Sequence, residues 1–205
     1  MTTSKSFGGG KSSISGYITR EPIFRAAYDN VRDTTLHSTT YHGFGEETAT
    51  ALEAVAVAVE EDFPARAQAL EAILVPGLAE IAARHPSLVT GIAGRGALHG
   101  VRLGPRAQLP TAVRDLIPVQ LAKDPQAFPK LLTGSVIAAL YREHDILSFF
   151  GSTQDIALIV SPPLVAGEKE ARLFLDALDS VLDRGALRLV TSFVKEMATA
   201  ARRTR

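Results

Sequence analysis

The chain has no cysteine, which removes a disulfide framework, a thiolate metal site and a cysteine nucleophile together and leaves the redox compartment undecided. It also lacks an excess of either charge. The 22 Lys and Arg residues face 22 Asp and Glu, so no global field draws it toward nucleic acid or an anionic membrane. Long apolar runs are missing too. Residues 1–20 carry Gly, Ser, Thr and Lys where a signal peptide has its apolar core, and no later stretch reaches the roughly 18 apolar residues of a membrane span. The expectation is a soluble, cytoplasmic protein with neither a nucleic-acid nor a membrane partner. At 205 residues it is long enough to bury a core, as one or two domains.

Residues 4–16 are dominated by Gly and Ser and read as a loop. From Glu46 to Asp62 the apolar residues Leu52, Val55, Ala56 and Val59 recur at i, i+3, i+4 and i+7, the pattern of an amphipathic helix with acidic residues in its first turn. Asp62 and Pro64 open a second helix with the stripe Leu70, Ile73, Leu74, Leu78 and Ile81, and Pro76 inside it predicts a kink or a division. The segment Leu88 to Leu103 reads as two short strands around Gly94, Arg95 and Gly96. Residues 105–129 hold five prolines and read as an irregular excursion. A helix over Lys130 to Arg142 buries Leu132, Val136, Ala139 and Leu140. Strands follow at Ile146–Phe150 and Ile156–Val160, then a helix over Glu168–Arg184 that Gly185 ends, and a last helix carrying Leu189, Phe193 and Met197. Helices alternating with short strands give an α/β or α+β class.

The sharpest local feature is Ser4-Lys5-Ser6-Phe7-Gly8-Gly9-Gly10-Lys11-Ser12-Ser13. A flexible tail is one reading of so much Gly and Ser. A nucleotide phosphate loop is another, because Gly10-Lys11-Ser12 copies the end of that pattern. The pattern then requires Gly at the position of Lys5, and four residues leave no room for the preceding strand, so the phosphate loop is rejected. A third reading is a Schiff-base lysine followed by a turn small enough for a bulky planar cofactor. The chemistry requires an amine whose ammonium form is destabilised, so that the neutral nitrogen attacks a carbonyl.

Further motifs stand downstream in order: Ile14-Ser15-Gly16-Tyr17, His37-Ser38-Thr39-Thr40-Tyr41-His42-Gly43 ahead of the first long helix, Gly94-Arg95-Gly96-Ala97-Leu98-His99-Gly100, and Ser161-Pro162-Pro163-Leu164. With the lysine cluster, this series resembles the C-terminal half of the class III, ornithine aminotransferase-like, family over residues 4–184. The resemblance implies a partial fold type I of the pyridoxal phosphate (PLP) enzymes, with residues 1–62 as the end of the cofactor-binding large domain and 63–205 as an α+β small domain. It implies PLP as cofactor and Lys5 as both its Schiff-base partner and the general base of the proton shift. It also implies that Thr39 and Thr40 contact the cofactor phosphate of a partner subunit, in a homodimer acting on an amino donor and a keto acceptor. Lys11 is the rival lysine, misplaced after the glycines. His37 and His42 are poorly spaced for zinc, Arg95 reads as a structural or surface group, and Arg202, Arg203 and Arg205 read as a solvated tail.

Two departures from the family pattern shape the expectation. Many family members place an arginine before the Pro-Pro-Leu turn to grip a substrate carboxylate. Here that position reads as Ile159, and no Lys or Arg occurs between Arg142 and Lys169, which points to an amine or a modified metabolite as donor. The family's glycine phosphate loop and the aspartate that pairs with the cofactor ring precede its lysine, whereas four residues precede Lys5. The expectation is a truncated or split form that binds the cofactor weakly alone and requires a complementary N-terminal-half polypeptide. The alternative is a non-catalytic dimerisation or interaction protein that keeps the small-domain fold.

Overall fold

The computed structural model describes residues 1–29, 31–33, 40, 42–104, 111–114, 117, 123–151 and 156–203. The chain divides into two compact units, Met1–Phe63 and Pro64–Arg205.

In the first unit, strand β1 (Thr2–Thr3) pairs antiparallel with β2 (Gly16–Tyr17), and the Met1 ammonium donates to the Ile18 carbonyl at 2.8 Å. The Gly/Ser stretch is thus a loop pinned at both ends by a short ladder. It contains a 3-10 turn at Lys5–Gly8. Helix α1 (Glu21–Tyr28) has Pro at its start and a Glu21–Arg25 pair one turn apart. Eight residues were too short a stretch for periodicity to reveal. Helix α2 (Gly45–Glu60) begins one residue before the expected 46–62 span and ends two residues short of its end. Its stripe differs from expectation: Leu52, Val55 and Val59 are 72%, 45% and 75% exposed, and Ala51 is the residue that α2 buries. The periodicity marks an apolar face that no described residue of this unit covers.

The second unit has one core. Helix α3 (Phe63–Arg84) runs on through Pro76 instead of dividing there. Proline costs about 3 kcal/mol inside a helix, and α3 offsets this by burying Leu70, Leu74, Leu78 and Ile81. Gly77 permits the close approach, since a Cβ there would stand 2.3 Å from Leu175 Cδ1.

Strands β3 (Val89–Arg95) and β4 (Leu98–Leu103) form the expected hairpin, with the turn at Gly96 and Ala97. With β5 (Phe149–Phe150) and β6 (Ala157–Val160) they make a four-stranded antiparallel sheet in the order β3-β4-β6-β5. Both later strands are shorter than expected, β5 by three residues at its start. Alternation decides the faces. His99, Val101, Leu103, Leu158 and Val160 are buried, while Leu98 and Arg102, at the alternate positions of β4, are exposed.

Of the proline-rich stretch, residues 105–110, 115–116 and 118–122 lie outside the described residues. Thr111–Arg114 forms the single turn α4, and α5 (Ala127–His144) begins three residues before the expected Lys130. Just ahead of it, the Asp124 carboxylate accepts from the Gln126 N–H at 2.8 Å and from Lys130 Nζ at 2.5 Å; the Lys130 ammonium and then that N–H hold the carboxyl below its ordinary range. Helices α6 (Glu168–Leu182) and α7 (Ala186–Arg203) complete the unit. Arg84 and His85 both meet Asp179 of α6, at 3.0 and 2.8 Å, and the pairs Arg142–Glu196 and Arg184–Glu143 connect α5 with α7 and with the end of α6.

Two outcomes follow from this packing. Leu132 is fully buried, so Leu132→Ala is expected to lower stability by about 2–5 kcal/mol in urea unfolding; a loss within the error of the measurement would place it outside the core. Glu170 Oε2 accepts from the Gly167 N–H at 2.9 Å, which holds its carboxyl below the ordinary range. A carboxyl depressed by folding stabilises above its ordinary titration range and loses that contribution as pH falls through its folded value. Profiles of Tm against pH for the wild type and Glu170→Gln should therefore converge in acid and separate toward neutral pH, with the wild type higher.

Candidate active site

Three described non-glycine residues have positive φ: Lys5 at 61°, Asp62 at 46° and Asp145 at 56°. Aspartate tolerates this region through local hydrogen bonds, whereas for other L-residues it costs roughly 1–2 kcal/mol. Lys5 is thus the unusual one. The turn that holds it is closed from both sides: Phe7 N–H donates to Ser4 O at 3.2 Å and Gly9 N–H to Ser6 O at 2.8 Å. Gly9 and Gly10 follow with φ of 63° and 71°, the left-handed region that favours glycine. A Cβ on Gly9 would lie 3.2 Å from the Ala54 methyl of α2, while one on Gly10 would meet nothing within 4 Å. The turn therefore rests on α2 and leaves open space beside Gly10. Buried Ser12 Oγ has no hydrogen-bond partner.

Lys5 itself is exposed, and so is Lys11. Thr40 and His42 are exposed in the same unit, and no hydrogen bond joins Lys5 to Thr40. Thr39, with His37, Ser38 and Tyr41, lies outside the described residues. Arg95 is exposed at the end of β3, in keeping with a surface group. Ile159 lies in β6 opposite Gly100 and Phe149, and its carbonyl accepts from Ser148 Oγ at 2.9 Å. The described residues of β6 carry no cation.

The family model for aminotransferase class-III matches residues 1–182. This chain is a class III aminotransferase family member. Among curated relatives of the family, the aminotransferase PigE of Serratia sp. (strain ATCC 39006) is 24% identical over 207 residues, covering 89% of this chain and 24% of that protein. Among solved structures, a transaminase from the marine bacterium Virgibacillus superposes with a TM-score of 0.69 at 20% identity, over 94% of this chain and 39% of that one. An amine transaminase from an uncultivated Pseudomonas species, described in its PLP-bound form, gives 0.67 at 22% identity, over 89% and 38%. The fold is therefore that of part of a fold type I transaminase. The chain spans about a quarter of the length of this curated relative and about two fifths of these solved chains.

What the sequence did not show is a cleft of about 1060 Å³ in the first unit, bordered by β2, α1 and the start of α2. Phe24 of α1 lines it, its ring held 5.0 Å from that of Tyr28. Glu47 lines it too, with its Oε2 buried and unpartnered. The aromatic residues that converge here are separated in sequence by an unpatterned segment, so only the fold assembles them.

The glycine turn yields a direct test. Gly9→Val is expected to destabilise the chain by about 1–2 kcal/mol or more, through strain and through the contact with Ala54, as read by urea unfolding. A neutral result would show that the turn is free to rearrange.

Proposed function

We propose that this chain supplies the lysine-bearing part of a PLP-dependent aminotransferase, with Met1–Phe63 as the end of its cofactor domain and Pro64–Arg205 as its small domain, working in the cytoplasm. The observation that carries the reading is Lys5: an accessible amine on a strained turn, followed by Gly10 with open space beside it. The donor set fits PLP in part. Lys5 Nζ would hold the aldehyde carbon, and the Thr40 hydroxyl, with Thr39 beside it in sequence, would donate to the phosphate of a cofactor in a partner subunit, as expected for a homodimer.

When bound, PLP supplies the electron sink that stabilises negative charge at the substrate carbon. Lys5 Nζ is then the base that holds the migrating proton at its lone pair and returns it. A neutral amine is needed for both roles. The exposure of Lys5 means that this chain's described residues do not themselves exclude water from it. Residues outside this sequence, including the groups that pair with the ring nitrogen, complete the site, whether in a complementary N-terminal-half polypeptide or otherwise. The apolar Ile159 and the cation-free segment around it favour an amine over an α-amino acid as donor, with a keto acid or aldehyde as acceptor.

A second reading, a non-catalytic interaction protein, draws on the exposed Leu52, Val55 and Val59 of α2. One experiment separates the two. Equimolar PLP followed by borohydride should fix the cofactor on Lys5 in preference to Lys11, as located by peptide mass, and the product should vanish in Lys5→Ala. Labelling centred on Lys11, or absent altogether, would favour the interaction protein.

A further inference from the structure

Helices α2 and α7 carry opposite charge in matching rows. On α2, Glu46, Glu53 and Glu60 stand seven residues apart and are exposed, and residues 45–62 contain no Lys or Arg. On α7, Arg188 and Lys195 are exposed at the same interval, with Arg202 one further step along the helix. Seven residues are close to two helical turns, so each set falls in a single row along its helix. The chain's zero formal net charge thus hides a separation of acid onto one helix and base onto another.

Each row runs alongside apolar surface. Leu52, Val55 and Val59 accompany the acidic row and are exposed. Beside the basic row Leu187 is 52% exposed, and Ala198 is exposed as well, while the other side of α7 is fixed to its own unit by buried Leu189, Val190 and Val194. Glu196 is the one carboxylate side chain in residues 186–205, and it is paired with Arg142. The family match ends at residue 182 and α7 begins at Ala186, so the basic row lies outside the part of the chain on which the family assignment rests.

We propose that these faces join two copies of this chain, α2 of one protomer lying along α7 of its partner, with the acidic row against the basic row and Leu52, Val55 and Val59 against Leu187 and Ala198. Pairing α2 with α2, or α7 with α7, would set like charges opposite each other, so the cross-pairing is the one that the charges select. A two-fold axis makes the contact twice, once from each protomer's α2. Apolar burial supplies the attraction. The charge rows supply register and choice of partner, because exposed ion pairs contribute little by themselves. The interface gives the bare face of α2 an occupant and requires nothing of Lys5, so it goes beyond the aminotransferase reading.

Sedimentation velocity on the 205-residue chain at low salt should show a reversible monomer–dimer equilibrium, and screening by about 0.5 M salt should weaken it. The triple variant Glu46→Lys, Glu53→Lys, Glu60→Lys should lose at least about tenfold in self-affinity, and so should Arg188→Glu, Lys195→Glu, Arg202→Glu, since each sets like charges across both contacts. Mixed in equal amounts, the two variants should associate with each other, because reversing both rows restores the match. A chain that stays monomeric at every concentration, a dimer that either reversal leaves intact, or variants that do not associate when mixed would overturn the proposal. If a triple variant fails to fold, Glu53→Lys and Lys195→Glu alone make the same comparison. Borohydride labelling reads the aminotransferase function separately: its failure beside an intact α2–α7 dimer would sink that reading alone, and labelled Lys5 on a monomeric chain would sink this interface alone.

Discussion

The structure of the second unit depends on keeping one face of its four-stranded sheet away from water. His99, Val101 and Leu103 of β4 and Leu158 and Val160 of β6 all point to that face, and the helices bring Leu132, Val136, Leu140, Leu178, Val181 and Leu182 into the same core. A two-residue side-chain period cannot slip by one without exposing the whole set. That rigidity fixes the register of β4 against both neighbours and, with it, the place of Ile159 in the sheet. The opposite face carries Leu98 and Arg102 in the open.

The first unit is built on a different constraint, a short turn held by its own backbone. Two residues of strand pairing, the tethered Met1 ammonium and the 3-10 turn hold Lys5 at positive φ. Strain of this kind persists only where surrounding structure imposes it. Here the imposition comes from the backbone bonds of the turn and from α2, against which Gly9 rests. The same helix gives the first unit its uncovered apolar stripe and, through Glu47, its unsatisfied carboxylate oxygen. Exposed lysine, open cleft and bare helix face are three properties of one small unit.

Much of this was legible beforehand. Period-3.6 stripes located α2, α3, α5 and α6, because burial of one helix face leaves that imprint in the order of residues. Gly96 gave the β3–β4 hairpin. Helix α1 was not legible, being too short for a period. The continuity of α3 through Pro76 was not legible either, because the packing of Gly77 against Leu175 outweighs a local breaker. The start of α5 at Ala127 was not legible, since the prolines at 125 and 129 obscure any period there.

By itself the sequence determined the family, through ordered motifs around Lys5 and the Pro162-Pro163 turn, and it determined which stripes are apolar. Only the tertiary structure decided which of those stripes find a partner. The face of α3 is buried and that of α2 is bare, although both carry the same periodicity. Periodicity records that a face is apolar, and burial depends on what the rest of the chain places against it. For the same reason the aromatic cleft could not be read in advance: Tyr17, Phe24 and Phe44 share no period, and only the fold of the first unit brings them to one wall.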